Sequence, residues 1–326
     1  MPGLKTFAEQ TAHRLGLLSL IRATRRGQCR ILMYHRFHGD SGLLARQCEH
    51  LREHYRPVTL SEIASAVRSG TALPPNGITI TVDDGYADFA LAFPIFKSYG
   101  LPVTLYVVSG FANKDLWMWT SQVEFLFKHS RRRQLTVPGT TGLPSLSLEG
   151  PERGRSLVTL FEFLIQAPDE QRCAVIQQLP LLLDTTLPAQ PPREAESLSW
   201  DQLRGMAAEG LEVGAHTRRH PVLSRLADSE LDEQIRGSKE EIERNLGRPV
   251  RHFCYPNGKL ADYSRQALEA VKASRYESAV VAEFGLVTPG ADPFQLPRLG
   301  VNPSVPQLYF ERLVAGYGQR IPARIG

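Results

Sequence analysis

The run Ile78-Thr79-Ile80-Thr81-Val82-Asp83-Asp84-Gly85 carries a β-rich apolar stretch straight into two adjacent carboxylates and a glycine. Branched residues without strict polar alternation fit a strand buried on both faces. Two carboxylates at the mouth of such a strand are costly unless something pairs with them or uses them. Asp-Gly is also an ordinary way to end a strand, so this segment alone does not establish chemistry.

Working outward, similar short runs recur at Ile31 to Tyr34, Val103 to Val108, Leu211 to Ala215, Val250 to Tyr255, Ala279 to Ala282 and Arg298 to Val301, separated by helical patterns. Alternation of this kind predicts an α/β chain with a mostly parallel sheet, and strands buried on both faces point to an α/β barrel. Several helices are punctuated: Ser61 reads as a cap for Glu62 to Arg68, Ser199 for Trp200 to Glu209 with Gly210 as its stop, and Ser238 to Leu246 ends at Gly247. The alternation lapses over about 111–196. That stretch, with three expected helices (Ser121 to Lys128, Leu157 to Ile165, Glu170 to Leu183) between Gly- and Pro-rich turns, reads as a mainly helical insertion.

A second chemistry-bearing segment is Leu211 to His220, where an apolar run ends in His216-Thr217-Arg218-Arg219-His220. Imidazoles one helical turn apart can share a metal ion. Nine histidines in 326 residues give on the order of 0.25 accidental pairs at this spacing, so spacing alone is weak. The chain supplies its own control in His50-Leu51-Arg52-Glu53-His54, which matches the H-x-x-E-H form of inverted zinc peptidases. There the stripe Leu44, Cys48, Leu51 leaves both histidines on the opposite, solvated face of a helix. His216 and His220 instead leave the end of a strand, where sites on parallel sheets form.

Were Asp84, His216 and His220 to meet, one oxygen and two nitrogens would suit a catalytic divalent metal. Such an ion acidifies water and polarises a carbonyl, and Asp83 could take the water's proton; Asp83 equally reads as the N-cap of a helix from Tyr86 to Phe93. A third segment, Arg251-His252-Phe253-Cys254-Tyr255-Pro256-Asn257-Gly258, runs a strand into a tight turn whose backbone N–H groups could face an oxyanion.

A chain of 326 residues with 42% hydrophobic content can bury a large core. Its formal charge of +4 and lack of a basic block give no sign of a nucleic-acid partner. Cys29, Cys48, Cys173 and Cys254 form no C-x-x-C pair, which suits a reducing compartment. Residues 1–29 read as an amphipathic helical segment with Leu4, Phe7, Ala8, Leu15, Leu18 and Ile21 on one face. That face suits peripheral membrane contact or packing against the domain, and the apolar run is too short to span a bilayer. With no clear export signal, the expected location is the cytoplasm or its membrane surface, and export stays open as an alternative.

Taken in order, Thr81-Val82-Asp83-Asp84-Gly85, His216-Thr217-Arg218-Arg219-His220 and Phe253-Cys254-Tyr255-Pro256-Asn257-Gly258 resemble the polysaccharide deacetylases of carbohydrate esterase family 4, the NodB-like homology domain. Leu32-Met33-Tyr34-His35-Arg36 belongs to the same resemblance. It implies a distorted (β/α) barrel of about seven parallel strands over 30–301, interrupted by the insertion and followed by a tail at 302–326. It implies an N-acetylated polysaccharide or oligosaccharide as substrate, Asp83 as general base, and Asp84, His216 and His220 as ligands of a divalent metal, usually zinc. The backbone N–H of Asn257 would hold the oxyanion. Tyr255, Trp200 near the acetyl pocket, and Trp117 and Trp119 in a sugar-binding groove are the expected substrate contacts.

Two departures stand out. Cys254 occupies the place where many members carry an arginine that orients the base; Arg298 could approach from the last strand instead. No histidine follows His252, so the C-terminal Leu-x-His that supplies the acid is missing, and His35 is the candidate for that task. These departures motivate a rival, a non-catalytic carbohydrate-binding barrel; the other rival is the zinc peptidase built on His50 and His54.

Overall fold

The computed structural model describes residues 16–317. Its centre is a ring of seven parallel strands: β1 (Arg30–Tyr34), β3 (Gly77–Val82), β4 (Val103–Val107), β7 (Glu212–Ala215), β8 (His252–Cys254), β9 (Ser278–Phe284) and β10 (Leu296–Gly300). β1 pairs with β10 on one side and β3 on the other, which closes the ring, while the short β2 (Arg56–Pro57) extends β3 outside it. This is the expected distorted (β/α) barrel. Every residue of β3 and β4 is buried, Thr79, Thr81 and Thr104 included, as strands covered on both faces require.

Helices cover the outside, and their boundaries follow local hydrogen bonding. Ser199 caps Trp200–Ala208 through a capping box with Gln202, as read from the sequence. For Leu60–Ser69 the cap is Thr59, boxed with Glu62, and not Ser61. The helix ending at Gly247 starts at Asp228, well before the expected Ser238. The helix after the Asp-Asp-Gly motif spans Phe89–Ser98, so Asp83 is not its cap; Asp84 and Gly85, at φ 74° and 90°, spend the intervening residues on a turn.

Between β4 and β7 lie the helices Trp119–His129, Glu152–Gln166 and Asp169–Leu182 and the antiparallel pair β5 (Gln134–Leu135) and β6 (Leu146–Ser147). They enclose their own apolar cluster, including Val123, Leu126, Leu160, Leu164 and Leu179. The segment read as a tail carries the helix Gln307–Ala315, whose Phe310 and Val314 are buried in the main core. The helix Leu17–Thr24 packs against it and buries Leu18, whereas Leu4, Phe7, Ala8 and Leu15 lie outside the described residues. No helix among the described residues is long and apolar enough to cross a membrane.

At the N-terminal end of the strands, a polar network closes the barrel floor. The Ser61 hydroxyl, free because Thr59 caps the helix, lies 2.7 Å from Glu212 Oε1 and 2.8 Å from His252 Nε2. Thr104 donates to Glu212 Oε2 at 2.8 Å, and Ser278 meets His252 Nδ1 at 2.8 Å. Burial raises the Glu212 carboxyl, but His252, Ser61 and Thr104 outweigh it and bring the group from 4.5 to about 2. The resulting stability is complete above the unfolded-state value and is lost as pH falls through about 2. Replacing His252 with alanine should cost about 1–3 kcal/mol in urea unfolding at pH 7, since buried partners lose their hydrogen bonds. The difference between wild type and Glu212→Gln should shrink as unfolding is repeated from pH 6 down to pH 2.5; a pH-independent difference would show that ionised Glu212 adds nothing.

Candidate active site

The C-terminal ends of the strands surround a cavity of about 440 Å³ lined by His35, Asp83, Asp84, His216, His220, Tyr255, Asn257 and Arg298, among others. The three sequence motifs thus meet, because a parallel barrel sends every strand out at the same mouth.

Asp83 and Asp84 are adjacent yet differently placed. Arg298 grips Asp83 with two parallel bonds, Nη1 to Oδ1 at 2.7 Å and Nη2 to Oδ2 at 2.8 Å. The guanidinium, 2% exposed, also donates to the Val281 carbonyl and Thr81 hydroxyl, and Nη2 lies 3.2 Å from Cys254 Sγ. Burial alone would raise Asp83; Arg298, with His35 3.6 Å away, more than reverses this and holds the carboxyl well below the ordinary range. Asp83 is therefore ionised at neutral pH.

Asp84 has no such cation. Its Oδ1 lies 3.5 Å from both His216 Nε2 and His220 Nε2, and burial pushes its carboxyl up. Ligand atoms about 2.0–2.1 Å from a tetrahedral ion sit roughly 3.3 Å apart. The three donors, all within 4.8 Å of one another, fit that requirement. His216 Nδ1 donates to the Cys254 carbonyl at 2.8 Å, which fixes the tautomer and turns the Nε2 lone pair toward Asp84. Burial disfavours the charged form of both imidazoles, and each histidine's pKa is lowered. Asp83, His216 and Cys254 also approach one another, but the bidentate Arg298 already occupies Asp83 there.

The third motif supplies the wall opposite. Asn257 and Gly258 have φ of 58° and 70°, and a Cβ on Gly258 would come within 2.7 Å of the Ala282 nitrogen, so only glycine lets the turn dock on β9. Tyr255 is buried, stacks on Tyr263 at 4.2 Å, and has no hydrogen-bond partner for its hydroxyl among the described residues.

The tryptophans separate from this group. Trp200 gives its indole N–H to Asn113 at 2.8 Å and packs on the main core, so it does not reach the cavity. Trp119 is buried in the insertion, with its N–H on the His220 carbonyl at 3.1 Å, behind the cavity and not inside it. Trp117 lies in a side groove that joins the cavity through Arg36, His38 and Glu124. Arg36, His38, Tyr86, Thr120 and Glu124 line the cavity without having been singled out for it. His38 follows β1 closely and was findable; Thr120 and Glu124 come from an insertion helix whose docking no motif announces.

Around His50 and His54, the other candidate pair, the described residues complete no three-ligand set. His50 is not solvated: it is 7% exposed, set edge-on to Phe310 and 3.7 Å from Glu311. His54 lies against it, and among the described residues no third histidine, cysteine or carboxylate completes a set with them. The Glu53 side chain is 60% exposed.

Residues 71–277 match the polysaccharide deacetylase family, and the chain belongs to it. Solved structures with the same fold include the Streptococcus pyogenes deacetylase PplD in complex with acetate (17% identical, TM-score 0.58, covering 88% of this chain and 98% of that one). IcaB from Ammonifex degensii is 18% identical at TM-score 0.57, covering 90% and 98%. In sequence the chain is similar to YxkH of Bacillus subtilis, a protein named provisionally as a polysaccharide deacetylase. The identity is 24% over 108 residues, 33% of this chain and 38% of that relative's length.

Arg298→Met leaves Asp83 as an uncompensated buried charge and should destabilise the fold by about 3–5 kcal/mol. Asp83→Asn combined with Arg298→Met should recover much of that loss in chemical denaturation. Additive losses in the double variant would mean that the pair is not coupled.

Proposed function

We propose that this protein is a metal-dependent hydrolase that removes acetyl groups from the N-acetylated sugars of a polysaccharide or oligosaccharide intermediate. The observation that carries the reading is the division of labour between neighbouring carboxylates: Asp83 gripped by Arg298, Asp84 facing the imidazoles of His216 and His220. Asp84, His216 and His220 would hold the ion, for which their one oxygen and two nitrogens suit zinc. A divalent cation there supplies Lewis acidity toward a water molecule and an acyl carbonyl.

The remaining tasks fall to the chain. Asp83, fixed by Arg298, accepts the proton of the attacking water as the oxygen–carbon bond forms. The Asn257 backbone N–H, in its left-handed turn, faces the oxygen on which charge develops. As the carbon–nitrogen bond breaks, the amine needs a proton, and His35 is the group to give it: half-exposed on the cavity wall, with Nε2 3.6 Å from Asp83 Oδ2. Tyr255 lines the acyl end, and Trp117, set edge-on to Phe125 in the side groove, offers a face to a further sugar.

Purified protein loaded with zinc should release acetate from N-acetylhexosamine oligomers. Asp83→Ala should lower that rate roughly 10²–10⁴-fold with metal still bound, whereas His216→Ala and His220→Ala should lose the metal. His50→Ala should retain it. Stoichiometric metal with glycan binding but no acetate release would favour the non-catalytic carbohydrate-binding barrel; full activity in Asp83→Ala would refute the mechanism.

A further inference from the structure

His220 is held in a backbone conformation that its own sequence opposes. Its φ is 55°, a left-handed value that costs a non-glycine residue free energy, and it precedes Pro221, which drives the preceding residue toward extended conformations. Such strain persists only where the surroundings over-determine it. The turn is accordingly bonded on every side. Ser109 and Gly110 donate to the Thr217 and Arg218 carbonyls, and a Cβ on Gly110 would meet the Arg218 oxygen at 2.7 Å. Gln234 accepts from the Arg219 N–H, and Thr217 Oγ1 accepts from the His220 N–H at 3.0 Å.

The two imidazoles differ in how they are aimed. His216 is oriented through its ring, by Nδ1 on the Cys254 carbonyl. His220 Nδ1 makes no hydrogen bond among the described residues, so the direction of its ring rests on its backbone and on the packing around it, the His216 ring included. The last backbone group of the turn, the His220 carbonyl, is held by the indole N–H of Trp119 at 3.1 Å. Trp119 opens the first insertion helix; Arg172, buried on the third and paired with Asp169, stacks over the indole at 5.5 Å.

We infer that Trp119 is a positioning residue for the metal centre, and that through it the helical insertion sets the affinity of the site for its ion. This rests on the metal-centre reading above. Where the Cys254 carbonyl acts on the ring of His216, Trp119 acts on the backbone of His220, an outer hydrogen bond that limits the ligand's direction through the main chain. Phenylalanine at this position keeps an aromatic ring in the insertion core and removes the donor; it is also smaller than the indole, a packing loss that an apolar truncation elsewhere in the same cluster controls for.

The experiment is competition for Zn²⁺ against a chromophoric chelator, using the full chain stripped of metal. Three proteins are compared: wild type, Trp119→Phe, and Leu146→Ala, which loosens the same apolar cluster without touching the turn. Urea unfolding is recorded for each. Trp119→Phe should weaken zinc binding 10–100-fold, the range seen when an outer partner of a ligand is removed. Leu146→Ala should lower stability while binding zinc like wild type. Wild-type affinity in Trp119→Phe, or an equal loss in Leu146→Ala, would overturn the inference by reducing Trp119 to a core residue. A wild-type protein that takes up no zinc would instead refute the metal-centre reading, and the inference with it.

Discussion

The Arg298 guanidinium occupies the middle of the barrel, and the rest of the mouth is arranged around its charge. It rises from β10, yet its partners lie on Val281 of β9, Cys254 of β8 and the end of β3, with the Tyr106 ring of β4 6.0 Å away. β10 and β3 are not neighbours, because β1 lies between them. The Arg298–Asp83 pair therefore acts across the lumen and pins the C-terminal ends of strands that backbone hydrogen bonds do not join. A buried guanidinium without a carboxylate is costly, and the reverse holds too, so changing either residue alone takes stability from the fold.

That single pairing decides the chemistry of its neighbours. The charge of Asp83 is balanced by Arg298, which leaves Asp84 as the carboxylate available to a cation. It also explains the thiol at position 254. A second guanidinium there would face Arg298, 3.2 Å from where the sulfur now sits, and compete for one carboxylate. A small side chain kept neutral, its thiol pushed well above its ordinary value by burial, fills the space without adding charge.

How much of this could be read from the sequence depends on what each feature rests on. Strand positions and the meeting of the three motifs were legible because they follow from local propensity and from the single exit direction of a parallel barrel. Arg298 was legible as a candidate because Cys254 left a vacancy in charge that some cation had to fill. Helix starts were less so: Thr59 and Ser61 are both good caps, and the choice was settled by Glu62 below one and Glu212 beside the other. Trp119 and Trp200 lie away from the cavity for a related reason. An indole has a broad apolar face and one donor, and which of them governs its place depends on an acceptor far away in sequence: Asn113 for Trp200, the His220 carbonyl for Trp119. His50 escaped the periodic pattern because the helix Gln307–Ala315, read as tail, covers the face that the stripe left open.

Backbone strain marks the same place from an independent direction. Among the described residues, eight other than glycine have positive φ, and four of them are Asp84, Thr217, His220 and Asn257. Each such residue costs on the order of 1–3 kcal/mol, and none is needed to close the barrel, whose strands end before them. What the left-handed turns achieve is directional: each lets a chain leaving a buried strand bend back over the mouth within one or two residues, so that short side chains face inward. A relaxed exit would carry the Asp84 carboxylate and the His220 ring away from each other along diverging loops. The cost is met by hydrogen bonds from outside the barrel ring, and for His220 one of these comes from the insertion. A segment that looks dispensable to the barrel is thereby tied to the geometry of its centre.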